Sequence, residues 1–296
     1  MRKFISTLTF CMTIGFGIVQ ANASPQIPDY IIYEGDTIAF YHLILEDYFN
    51  AQNKENQGDL FGLKFRSGSS TSCWRGYHAI YELDNDSLFL SQIISCRELL
   101  ARSAINEGQS KSRIREIFGD QMKNGRVHLN WYSSEISIPV AELLRWDGVF
   151  YHSFEQEKLI SISNGLVIST SSITNYIDEP DRINRRYTDA LSTVLFNELR
   201  KINWDNEGDF DCSEKYLVTI NKNGEIGDVI MSEYRTKKEI KEFWDMPEYN
   251  FCIRTIKDRL RHLKFDILKR TGKPISEQVY LEIWLENDGT LSNWTN

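Results

Sequence analysis

Residues 216–231 read YLVTINKNGEIGDVIM, residues 248–262 read EYNFCIRTIKDRLRH and residues 275–285 read ISEQVYLEIWL. In the first stretch two apolar runs flank Asn223-Gly224, a pair that tolerates the positive φ values of a tight hairpin turn. This predicts a strand over 216–221 and a returning strand over 225–231. In the second stretch Cys252, Ile253, Ile256 and Leu260 share one stripe, while Arg254, Lys257, Asp258, Arg259 and Arg261 share the other. That is the 3.6-residue period of an amphipathic helix. In the third, Val279, Leu281, Ile283 and Leu285 alternate with Gln278, Tyr280, Glu282 and Trp284, the period of a strand buried on one face. Strand, strand, helix, strand is a small α+β unit.

Working back from it, Leu191, Val194, Leu195, Leu199 and Ile202 predict a helix over 187–202. Residues 175–186 read as a linker, being polar through Asn175–Asn184 and containing Pro180. Upstream, period two dominates. Tyr77, Ala79, Tyr81 and Leu83 alternate ahead of the turn Asp84-Asn85-Asp86, and a strand-like run follows from Ser87 to Ile93. Val127, Leu129 and Trp131 alternate, as do Ile136, Ile138 and Val140; Val149–Phe154 is another strand-like run. Lys158–Ile162 and Leu166–Thr170 form a hairpin across Asn164-Gly165. Helical pieces are expected at Phe40–Phe49 and Ser112–Phe118. The fold class is therefore α+β: a β-rich domain of hairpins over 24–174, the linker, and a helix plus the small unit over 187–296.

Met1-Arg2-Lys3 followed by the uncharged run Phe4–Val19 and Ala21-Asn22-Ala23 reads as a signal peptide, residues 1–23, cut after Ala23. The expected location is periplasmic or secreted, with no membrane span once the leader is removed. The alternative is an uncleaved inner-membrane anchor. Export leaves Cys73, Cys96, Cys212 and Cys252, an even number, and four cysteines allow three connectivities. The pairing that crosses no domain boundary is Cys73 with Cys96 and Cys212 with Cys252. A net charge of −8 argues against nucleic acid as a partner.

The order of elements over about 216–285, with Asn223-Gly224, the helix carrying Cys252, Leu263-Lys264-Phe265 and Gly272-Lys273-Pro274-Ile275 before the last long strand, resembles the C-terminal domain of TonB-family proteins. The resemblance implies a module of the Gram-negative cell envelope that accepts a strand of an envelope protein by main-chain pairing. The first half, with Cys73-Trp74-Arg75-Gly76-Tyr77 before a hairpin, is similar to uncharacterised exported proteins of Bacteroidota, which implies no activity.

Other chemistry has thinner support. His78, His128 and His152 lie on expected strands and would have to converge to serve a metal or a hydrolase. Asp205, Glu207, Asp209 and Asp211 alternate, but not at the spacing of an EF-hand loop. Ser67–Ser72 offers hydroxyls without a nucleophile elbow. Arg254, Lys257, Arg259, Arg261, Lys264, Lys269, Arg270 and Lys273 make a basic stretch, either a docking face or a solvated helix side. Tyr280 and Trp284 either form an exposed platform or cover the 187–202 helix. No catalytic, cofactor-binding or metal-ligating residues are assigned, and no cofactor is expected.

The leading expectation is a non-enzymatic protein-binding module. Its contact residues are Val279, Tyr280, Leu281, Glu282, Ile283 and Trp284, on an open strand edge, so that a proline at Val279 or Leu281 weakens partner capture. The alternatives are an anchored TonB-type energy-transducer component and a periplasmic hydrolase with an unrecognised site.

Overall fold

The computed structural model describes residues 24–52, 70–100, 106–204, 210–233, 236–286 and 288–295. The leader 1–23, Ser67–Ser69, and Asp205, Glu207 and Asp209 lie outside the described residues. Strand β1 (Asp29–Tyr33) and strand β2 (Asp36–Phe40) form a hairpin across Glu34-Gly35, both at positive φ. Phe40 completes β2, so the helix expected from that residue begins instead at Ile44, as α1 (Ile44–Gln52). Strands β3 (Tyr77–Asp84) and β4 (Ser87–Ser95) pair antiparallel through Asn85-Asp86. The short α2 (Cys96–Leu100) and then α3 (Glu107–Phe118) follow, the latter burying Ile114 and Phe118. Next come β5 (Val127–His128), β6 (Ser134–Pro139), the hairpin β7 (Leu143–Trp146) to β8 (His152–Phe154), β9 (Gln156–Ser163) and β10 (Leu166–Thr174). The run from Val127 yields only a two-residue strand, because Leu129 and Tyr132 turn into the core through a Tyr132 N–H to Leu129 C=O bond.

The large sheet runs β2-β1-β3-β4-β10-β9-β6, with β5 on β4 and only β1–β3 parallel. Its two ends return to each other: the Ser137 N–H of β6 donates to Nε2 of His42, just past β2, at 2.9 Å. Ile31, Phe40, Tyr77, Tyr81, Leu88, Ile136 and Ile160 fill the interior with α1 and α3. Each fully buried aliphatic or aromatic side chain there adds about 1.5–3 kcal/mol of hydrophobic stabilisation. The Cys73-Trp74-Arg75-Gly76-Tyr77 segment is a plug: Arg75 is buried against Asp29 at 2.7 Å, and Gly76 adopts φ 78°.

The stretch read as a linker carries β11 (Tyr176–Ile177). After it come α4 (Thr188–Leu199), β12 (Glu214–Ile220), β13 (Ile226–Met231), α5 (Lys237–Phe243) and α6 (Met246–Leu260). The chain finishes with β14 (Ile267–Arg270), β15 (Lys273–Pro274), β16 (Glu277–Leu285) and β17 (Leu291–Asn293). Thr236 and Glu239 cap α5 reciprocally, and Pro247 opens α6 where its missing N–H is harmless. The second sheet runs β13-β12-β16-β17, all antiparallel. Leu191, Leu195 and Leu199 of α4 and Cys252, Ile256 and Leu260 of α6 pack with Tyr216, Val218, Val279, Leu281 and Ile283 in a second core. A third, small cluster of Leu144, Tyr176 and Leu268 sits where β11 pairs with β14. The molecule is an α+β fold.

Cys73 pairs with Cys96 and Cys212 with Cys252, with Cα atoms 6.3 and 5.5 Å apart. Among the described residues no helix is long and apolar enough to cross a membrane.

Candidate partner-binding edge

Strand β16 lies inside its sheet along part of its length and at the edge along the rest. Its register with β12 runs from Glu277 opposite Ile220 to Ile283 opposite Glu214. On the β12 side, Leu285 N–H donates to Ser213 Oγ at 2.8 Å. On the other side, Trp294 N–H donates to Glu282 C=O at 2.9 Å and Glu282 N–H to Thr295 Oγ1 at 2.8 Å. Backbone groups of an antiparallel strand alternate in direction, so odd-numbered residues of β16 face β12 and even-numbered ones face outward. Strand β17 pairs only with Ile283, Trp284 and Leu285. Among the described residues, no strand therefore lies against the outward N–H and C=O groups of Gln278 and Tyr280.

This revises the expected docking set. Val279, Leu281 and Ile283 are buried in the second core with their backbone groups on β12, and Glu282 and Trp284 are already met from the β17 side. The open part of the edge is Gln278–Tyr280. A proline at Val279 or Leu281 would break the β12 ladder instead of the partner edge. Tyr280 is 37% exposed and Trp284 47%, both on the face away from α4, whose leucines contact the opposite face. The ring of Trp284 lies 5.6 Å from that of Trp294. The aromatic pair is thus a platform and not a cover for α4.

Beside the open edge is a groove of about 400 Å³. One wall is the first two turns of α4, presenting Thr188, Asp189, Ser192 and Thr193; Gln278, Tyr280, Asn293 and Thr295 supply the rest. At the start of β16, Glu277 is locked. Arg145 of β7 donates to it at 2.7 and 3.1 Å and Arg185 at 2.9 Å. Burial alone would raise the Glu277 carboxyl, but these two guanidinium partners outweigh it and hold it below the usual carboxylate range. Arg145 also donates to the carbonyls of Leu144, Arg185 and Arg186, so the strand bearing the edge is fastened to the first unit.

The histidines do not converge. His78 sits edge-on to Tyr30, His128 beside Phe89, and His152 stacks on Tyr41 at 4.0 Å. Among the described residues no three His, Cys, Asp or Glu side chains are grouped to hold a metal ion. A hollow of about 720 Å³ lies over Ser137, Ser161 and Ser163 with His42 at its rim. Its one His–Ser contact, His42 Nε2 to Ser137 Oγ at 3.2 Å, is not an activated nucleophile. The same nitrogen already accepts the Ser137 backbone N–H, and burial pushes the ring down to about 4. Asp211 is spent on the local turn, accepting Ser213 N–H, while its own N–H bonds to Glu248. Four members of the basic stretch are engaged in local contacts: Lys257 with Asp228, Arg259 with Glu198, Arg261 with Asp258, and Arg270 over the Tyr151 ring.

No protein-family model, no curated protein and no solved structure matches this chain.

Proposed function

We propose that this chain is an exported protein-binding module of the cell envelope. It accepts an extended segment of a partner protein at the outer edge of β16, where Gln278 and Tyr280 present unpaired main-chain groups. The observation that carries this reading is the alternation of β16: its odd residues are committed to β12, and its outward groups run out of partner at Gln278–Tyr280. Such an edge selects for an extended backbone, since each main-chain bond formed is worth about 1 kcal/mol net. Two supports are indirect. The two disulfides fit an oxidising compartment, and the sequence over 216–285 resembles TonB C-terminal domains, which bind by strand addition.

The test is a photo-crosslinking residue at Gln278, read in whole cells, with and without Tyr280→Pro. Proline there removes an outward N–H and leaves the β12 ladder whole, so the variant is expected to fold and to lose the crosslinked partner. Val279→Pro, in contrast, is expected to lower the melting temperature sharply. Undiminished crosslinking by a Tyr280→Pro chain with native circular dichroism would remove the proposal.

A further inference from the structure

The edge and its groove carry carboxylates beyond the one held in the clamp, among them Asp189 in the first turn of α4, where it also suits the helix dipole. Glu277 is neutralised by Arg145 and Arg185. The neighbouring carboxylates are not so served. Asp189, on the α4 wall, has no ion-pair partner among the described residues. On the outer face Glu282 accepts the Tyr280 hydroxyl at 2.6 Å, and the cation opposite it in the register is Lys215. Lys215 is already bonded to Glu233 at 2.7 Å, with Glu214 and Glu282 both acting on its charge. Glu233 and Glu282 thus share one ammonium on the outer side, and an unpaired carboxylate waits on the inner side.

The geometry assigns each of these to a position of an added strand. Side chains alternate across a sheet, and Val279 points inward while Gln278 and Tyr280 point outward. A residue paired opposite Val279 would therefore enter the groove toward Asp189, Ser192 and Thr193. A residue opposite Tyr280 would lie beside its ring and Glu282. Small hydroxyl side chains on α4 leave room for a long stem, and the Tyr280 face is a suitable seat for a cation.

Resting on the strand-accepting reading above, we infer that the segment taken up at this edge is cationic: an extended stretch of a partner protein with lysine or arginine at successive positions opposite Val279 and Tyr280. Acidic segments would meet like charge on both faces, which discriminates as strongly as the attraction does.

The probes are two blocked six-residue peptides with a central lysine pair, one flanked by valines and one by threonines, and their glutamate counterparts. They are titrated into the full chain at low salt and followed by the backbone amide signals of Gln278 and Tyr280. The lysine peptides are expected to shift both amides and to bind about tenfold more tightly than the glutamate peptides, the yield of two partly screened ion pairs on one side and two like-charge contacts on the other. Raising salt should erode that ratio. Asp189→Asn and Glu282→Gln, which remove the charge and keep the side chain's size, should each lower it while the amide response persists. Equal or tighter binding of the glutamate peptides at the same amides overturns the charge assignment and leaves the open edge standing. Binding of lysine peptides without a response at Gln278 and Tyr280 places them elsewhere and overturns the assignment. Absence of binding by every peptide overturns it together with the edge reading.

Discussion

His42 and His78 show how a single side chain can set the acid tolerance of this fold. His42 is desolvated where the sheet closes on itself, with its Nε2 receiving the Ser137 N–H. His78 is 3% exposed, with no hydrogen-bond partner on either ring nitrogen among the described residues. Burial lowers both rings to about 4, helped at His78 by the nearby Arg75 charge. Between that value and the ordinary 6.5 the unfolded chain binds protons that the folded chain refuses. Stability is therefore complete above about pH 6.5 and falls as the pH drops through this window. The expected loss from pH 7.5 to 5 is about 2 kcal/mol per ring. Urea unfolding at the two pH values measures it, and a His78→Leu chain should lose correspondingly less. Neither role is visible in the sequence, where a strand histidine looks the same at a seam, in a core or on a surface.

Elements with long alternation or a strong stripe were legible: β3 and β4, the β9–β10 hairpin, β12, β13, α6 and β16. The Asn223-Gly224 turn shows why. Gly224 takes φ 79° and accepts Phe265 N–H, and an added Cβ would stand 2.0 Å from the Phe265 carbonyl oxygen. Gly224→Ala is accordingly expected to cost more than about 2 kcal/mol, read as a lowered urea midpoint with unchanged slope. Short elements escaped because their partners make them. β11 and β17 are segments of only two and three residues, too short to show a period, and they exist through pairing with β14 and β16. The candidate edge was legible as an open strand edge, but not which part of it stays open, since Val279 and Tyr280 differ only in which neighbour their backbone faces. Its α4 wall was invisible for a different reason: Asp189 and Ser192 lie some ninety residues upstream and reach β16 only in the folded chain.

Across the whole molecule, two cores are joined by polar contacts around Glu277 and by the Leu144–Tyr176–Leu268 cluster. Arg185 is fully buried, and removing the carboxylate would leave two guanidinium groups facing each other without a counter-charge. Glu277→Ala is thus expected to cost about 3–5 kcal/mol and to split a single calorimetric transition into two. One transition at the original temperature would show that the clamp is dispensable. The cysteines add a property of another kind. Of the four described cysteines the first is bonded to the second and the third to the fourth, 23 and 40 residues apart, so the second bridge begins only after the first is complete. A chain emerging amino-terminus first into an oxidising space, its leader and Cys11 removed, would meet its correct thiol partner before any wrong one is available. Pairing each still unbonded cysteine with the next to emerge is enough, so the native bridges can form in order of emergence without later reshuffling.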